Sequence, residues 1–83
     1  MKIQVRYFAS LREALGAAET VEVQDDASVA DVRALLRTLS ARHAEVLAEG
    51  RAVRAAVDQV MVEEAAVLHE GAELAFFPPV TGG

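Results

Sequence analysis

Cysteine is absent from the 83 residues, which excludes disulfides, thiolate metal sites and thiol nucleophiles. Any sulfur chemistry performed by this chain must therefore use a different atom. Basic residues are few, eight against thirteen acids for a net charge of −5, and they are scattered along the sequence. That distribution argues against nucleic acid, whose affinity rests on clustered Lys and Arg, and fits an acidic surface meeting basic partners. No stretch approaches the roughly 18 apolar residues of a membrane span, and Met1-Lys2-Ile3 opens directly into a strand pattern with no signal peptide. The expectation is a soluble cytoplasmic protein that engages neither membrane nor nucleic acid. Internal repeats, low-complexity segments and a phosphate-binding glycine loop are also missing, so a nucleotide would have to be bound by a partner.

What is present is a single modest core. Hydrophobic residues make up 53% of the chain, too many for a disordered protein, and a chain of this length buries roughly 60–65% of its unfolded surface. One domain over residues 1–83 is expected, with 78–83 as an extended C-terminal tail. Lys2 to Tyr7 alternates polar and apolar, aiming Ile3, Val5 and Tyr7 at the core from a strand. Phe8 breaks the alternation and turns its ring to the polar face. Ser10 to Gly16 reads as a short helix with Ser10 as N-cap, Glu13 at the third helical position and Gly16 closing it. Thr20 to Gln24 alternates again, as a strand antiparallel to the first.

After the Asp25-Asp26-Ala27 turn, Ser28 and Asp31 form a capping box with the shorter acid. Val29, Val32, Leu35, Leu36 and Leu39 then recur at helical spacing, predicting the main helix, which ends near Ala41 to His43. Asp31, Arg33, Arg37 and Ser40 fall to its solvent side. Ala44 to Ala48 adds a further helical turn that Gly50 ends. Ala52 to Val57 and Val60 to Val62 read as short strands joined at Asp58-Gln59, and Glu73 to Phe77 as the last strand, with Leu74 and Phe76 on one face and Ala75 and Phe77 on the other. Strand, strand, helix and further strands suit an α+β roll of the β-grasp, ubiquitin-like kind: a mixed sheet with one main helix on one face. The first and last strands would lie side by side and parallel, the helix supplying the crossover.

The last nine residues, Ala75-Phe76-Phe77-Pro78-Pro79-Val80-Thr81-Gly82-Gly83, organise the rest. The prolines fix φ and aim the tail away from the body. Glycine lacks a Cβ, so Gly82 and Gly83 can thread a channel too narrow for other residues, with the terminal carboxylate leading. Fully extended, Pro78 to Gly83 reaches on the order of 20 Å, enough to enter an active site on another protein. A frayed terminus is the alternative from Gly-Gly alone.

The segment from Gly71 to Gly83, with its Phe-Phe-Pro-Pro-Val-Thr-Gly-Gly ending, closely resembles the C-terminus of the small subunit of molybdopterin synthase, the MoaD type of ubiquitin-like sulfur carrier. Val5-Arg6-Tyr7-Phe8-Ala9, Leu11-Arg12-Glu13 and Ala56-Val57-Asp58-Gln59 extend the resemblance across essentially the whole chain. Asp58 departs from it, standing where asparagine is expected. The resemblance implies a carrier subunit and not an enzyme acting alone. An E1-like activating enzyme of the MoeB type would adenylate Gly83 with ATP and magnesium, no cofactor being held by this chain, and a sulfur donor would convert the adenylate to a thiocarboxylate. The large synthase subunit, of the MoaE type, would take Pro78, Pro79, Val80, Thr81, Gly82 and Gly83 into its active site and pass the sulfur to cyclic pyranopterin monophosphate. A heterotetramer of two small and two large subunits is implied as well.

A carrier needs a docking face. By alternation Phe8 and Phe77 point away from the helix-covered core at the ends of neighbouring strands; Met61 joins them, with Arg12 at the rim. The resemblance places the corresponding positions at the contact with the large subunit. The bland alternative is that the two rings merely cover the open sheet face or pack beneath a loop. His43 and His69 lack ligand spacing and read as surface or helix-end residues, Ser10 and Ser28 as caps, and Glu63-Glu64 as a solvated edge. Two further readings stand beside the molybdopterin carrier: another Gly-Gly-tailed ubiquitin-like protein, either a thiamine-pathway sulfur carrier or a protein modifier, and a plain interaction module.

Overall fold

The computed structural model describes residues 1–79; Val80, Thr81, Gly82 and Gly83 lie outside the described residues. Eight elements follow in chain order: β1 (Lys2–Tyr7), α1 (Ala9–Leu15), β2 (Ala18–Glu22), α2 (Val29–Arg37), α3 (Ala41–Val46), β3 (Arg54–Val57), β4 (Val60–Val62) and β5 (Glu73–Phe77). The five strands form one mixed sheet in the order β2-β1-β5-β3-β4. β1 pairs parallel with β5, Val5 opposite Leu74 and Tyr7 opposite Phe76, and antiparallel with β2. This is the β-grasp arrangement that the element order predicts, with the first and last strands adjacent at its centre.

Alternation does the sorting. Ile3, Val5, Tyr7, Leu74 and Phe76 are buried on the helix-covered face, against Leu11 of α1, Val29, Val32 and Leu36 of α2, and Leu47. Tyr7 stacks on Phe76 with ring centroids 6.4 Å apart, and its hydroxyl donates to Glu19 Oε2 at 2.6 Å. Burial, and then that carboxylate, push the Tyr7 phenol far above its ordinary range. The same Glu19 oxygen lies 2.8 Å from His43 Nε2, so a polar chain through Glu19 ties β1 and β2 to α3. His43 thus has a structural partner, and among the described residues no cluster of three His, Cys, Asp or Glu could hold a metal.

The further turn expected over Ala44 to Ala48 falls instead at Ala41–Val46, closed by Leu47 and not by Gly50, and the helices depart from the sequence reading in three more places. Ser10 is not a cap: Phe8 occupies the N-cap of α1, with no side-chain cap bond. Phe8 N–H extends the parallel ladder by donating to Phe76 O at 3.1 Å, and Ala9, at φ +54°, swings the chain straight into the helix. Gly16, at φ +93°, closes α1 as expected, a conformation only glycine adopts cheaply. The main helix, capped by the Ser28–Asp31 box, stops at Arg37, well short of Ala41. Thr38 turns its hydroxyl onto Leu35 O at 2.6 Å, and Ser40 goes extended to cap α3 through His43 N–H. Short hydroxyl side chains here compete with the helical ladder and split it. Leu39, counted in the apolar stripe, sits in the break and is 48% exposed.

The last of these departures is Arg33, which is 3% exposed and not on the solvent side. Its Nε donates to Leu47 O at 2.8 Å, and its Nη2 to Ala48 O at 2.6 Å and Arg51 O at 3.0 Å. Its Nη1 pairs with Glu64. Glu64 is therefore a tether and not merely a solvated edge.

Strand boundaries shift modestly. β2 begins and ends two residues early, and β3 begins at Arg54, not Ala52. The β3–β4 turn falls at Asp58-Gln59, both at positive φ (+49° and +71°) as a two-residue hairpin of this hand requires. Asp58 does more than turn the chain. Its carboxylate accepts Glu73 N–H at 3.0 Å and lies 2.6 Å from His69 Nε2. The Glu73 N–H and then His69 hold the Asp58 carboxyl below 3.8, while Asp58 raises His69 above 6.5. The His69 contribution to stability is complete below 6.5 and fades as pH rises through the raised value; that of Asp58 is complete above 3.8 and fades as pH falls. Asp58→Asn should keep the turn, since asparagine tolerates positive φ, and should return the His69 titration toward 6.5 in an NMR pH series. An unmoved His69 titration would show the two charges to be uncoupled.

Candidate functional site: the open sheet face at the tail exit

All three helices contribute to the core on one side of the sheet, leaving the other side open. Residues directly paired across strands share a face, so the register defines what this open face carries. One row reads Ala18, Arg6, Ala75, Ala56 and Met61 from β2 to β4. The next row, nearer the tail, reads Phe8, Phe77 and Arg54. Ala75 and Ala56 are each 8% exposed yet short, so they floor a shallow trough between the taller flanking side chains.

Phe8 is 39% exposed and Met61 58%, and what marks them is that both stand on the same face as Phe77. Phe77 is half-buried, and Pro78 and Pro79 follow it half-buried where β5 ends. Arg12 is exposed on α1, one turn beyond Phe8, whose carbonyl its N–H meets at 3.4 Å. The structure therefore gathers Phe8, Phe77 and Met61 on one face and sets Arg12 beside Phe8. The remaining tail positions named from sequence, Val80 to Gly83, lie outside the described residues.

Because β5 is hydrogen-bonded to both β1 and β3, Phe77 and the start of the tail leave from the interior of the sheet. Among the described residues this face presents apolar contact area and guanidinium groups near the tail, with the Glu22 and Glu73 carboxylates toward its other end. Its capability is to dock.

Sequence reasoning missed Arg6 and Arg54. Arg6 packs its guanidinium carbon 5.6 Å from the Phe8 ring centroid and reaches Glu73 at 3.6 Å. Arg54 stands directly opposite Phe77. The period-two spacing of Arg6 from Phe8 was a usable signal; Arg54 becomes visible only through the β3–β5 register. The basic residues are scattered in sequence, but the register brings two of the eight, Arg6 and Arg54, to one face, and α1 carries Arg12 one turn beyond Phe8.

Known proteins agree with this architecture. The chain is 41% identical to the molybdopterin synthase sulfur carrier subunit of Escherichia coli over 81 residues, 98% of this chain and 99% of that one. It is 35% identical to the subunit of the same name from Mycobacterium tuberculosis over 85 residues, spanning 100% of this chain and 99% of the other. Among solved structures, small archaeal modifier protein 1 of Haloferax volcanii superposes with a TM-score of 0.72 at 27% identity, covering 95% and 98% of the two chains. The ThiS family matches residues 5–83. A β-grasp sheet whose central strand leads into a Gly-Gly tail, matched over nearly its whole length by sulfur carrier subunits, places this chain in the ThiS family as a MoaD-type sulfur carrier.

Proposed function

We propose that this chain is the sulfur-carrier subunit of a molybdopterin synthase, acting in the cytoplasm. The observation that carries the reading is the 41% identity to a carrier subunit across 98% of the chain, joined to an open face that ends where β5 enters Pro78-Pro79. The chemistry begins at the Gly83 carboxylate, a poor electrophile until one oxygen becomes a good leaving group. An activating enzyme that binds ATP and magnesium supplies that group: the carboxylate attacks the α-phosphate, pyrophosphate departs, and an acyl adenylate forms. A sulfur nucleophile at the sulfide level then attacks the carbonyl carbon, making the C–S bond as the bond to AMP breaks. The thiocarboxylate rides into the large subunit, two small chains serving two large ones, and its sulfur passes to cyclic pyranopterin monophosphate.

The test is intact-mass spectrometry on untagged protein incubated with the activating enzyme, ATP and a sulfide source. A gain equal to replacing one oxygen by sulfur, located by fragmentation to Gly83, is expected. Unmodified mass in the presence of demonstrably active enzyme would overturn the reading. The likeness to a small archaeal modifier favours a second reading as a protein modifier, which the same spectrum would reveal as an adduct to lysine on another chain.

A further inference from the structure

The charge on the open face is sorted along the strands. At the tail end stand Arg6 over Phe8 and Arg54 opposite Phe77, with Arg12 exposed on α1 one turn beyond Phe8. Toward the opposite end the face carries Glu22, paired with Lys2, and Glu73, paired with Gln4. An acidic chain of net charge −5 thus presents a cationic end to whatever meets its aromatic centre.

Arg6 is the most informative of the three. Its guanidinium carbon lies over the Phe8 ring, 5.6 Å from the centroid, a cation–π contact that uses none of its N–H donors. Its contact with Glu73 is 3.6 Å long between side chains 48% and 35% exposed, a pair weak enough to be exchanged for another carboxylate. Arg54 and Arg12 are exposed, with no carboxylate within ion-pair distance among the described residues. Covering this face with a neutral or basic surface would desolvate guanidinium groups without compensation.

We infer that Arg6, Arg54 and Arg12 form a cationic collar that selects a large-subunit surface bearing carboxylates around an apolar socket for Phe8 and Phe77. This rests on the carrier reading above, and it names Arg6 and Arg54 as specificity-determining residues. Charges at the rim act mainly on the rate of encounter and on the choice of partner, whereas the apolar centre governs how long the complex lasts.

The experiment is stopped-flow association of the carrier with its large subunit across a range of ionic strength. The wild-type rate should fall by roughly tenfold or more from low to high salt. The double variant Arg6→Glu, Arg54→Glu should lose about the same factor at low salt and show a flattened salt dependence, with melting curves confirming that it is folded. Glu22→Gln, at the opposite end, should stay near the wild-type rate. Phe77→Asp should instead raise the dissociation rate at every salt concentration. A wild-type rate that is indifferent to salt or rises with it overturns the collar without recourse to any variant, as does a double variant that associates like wild type. Complete absence of a complex between the wild-type chains would remove the carrier reading itself, a distinct result from a salt-indifferent complex.

Discussion

Removal of Gly82 and Gly83 is expected to abolish sulfur transfer while leaving the thermal unfolding of the chain unchanged. The strand ladder ends at Phe77, and the last residue of the buried core is Phe76, so the stability change should stay within about 0.5 kcal/mol. Function should respond without gradation. The new terminus, Thr81, carries a β-branched side chain where the activating enzyme and the large subunit must admit the reacting carboxylate, and the reach of the tail shortens by about 7 Å. Paired melting curves and a reconstituted synthase assay check both halves. Wild-type turnover from the truncated chain would sink the carrier and modifier readings together and leave an interaction module.

The largest effect on stability is expected at Arg33. Arg33→Met keeps the aliphatic stem but takes the donor from Arg51 O, leaves Leu47 O with Arg37 Nη1 at 3.4 Å and Ala48 O with Arg51 N–H at 2.9 Å, and leaves Glu64 without its cation. A buried acceptor left unpaired costs about 1–3 kcal/mol; water can reach some of these groups, because Arg51 is exposed and Glu64 is 46% exposed. A loss of about 3 kcal/mol is expected, a large share of the roughly 4–12 kcal/mol that a chain of this size holds. The melting temperature should drop by more than about 10 °C. Arg33→Lys should rescue little, since a point ammonium cannot fork to three carbonyls and a carboxylate. Glu64→Gln should cost under about 1 kcal/mol, its partner keeping the three carbonyls. A melting curve for Arg33→Met that overlays wild type would show the latch to be dispensable.

The contrast between Arg33 and Arg6 shows why parts of the molecule were legible and others were not. Arg6 sits in a strand whose alternation assigns each side chain a face, and the open face is where it lies. Arg33 sits next to Val32 on a helix, at the margin of the apolar stripe, where a few degrees of rotation separate solvent from core. Its burial depends on the backbone of residues 47–51 bringing the carbonyls of Leu47, Ala48 and Arg51 within reach of the guanidinium. No periodicity encodes that arrival. Ser40 and Thr38 are similar: each is a permitted helical residue and also a good terminator, and the choice falls to the packing of α3, where His43 meets Glu19. Asp58 has the chemistry of a turn residue, and it is one, but its tie to Glu73 and His69 depends on β5 passing beside the hairpin.

By itself the sequence determined the alternation of β1 and β5, the Ser28–Asp31 start of α2, the two-residue turn at Asp58-Gln59, the absence of any thiol and the Gly-Gly end. These are local properties, set by backbone geometry and side-chain chemistry within a few residues. The tertiary structure alone decided which strands became neighbours, and with them that Arg54 stands beside Phe77, that Ala56 and Ala75 floor one trough with Met61 at its edge, and that Arg33 closes the loop before β3. Those are contacts between residues distant in sequence. They form only when the burial of Ile3, Val5, Leu74 and Phe76 against the helices brings β1, β5 and β3 side by side, because that apolar burial, and no local preference, holds the ends of the long loops together.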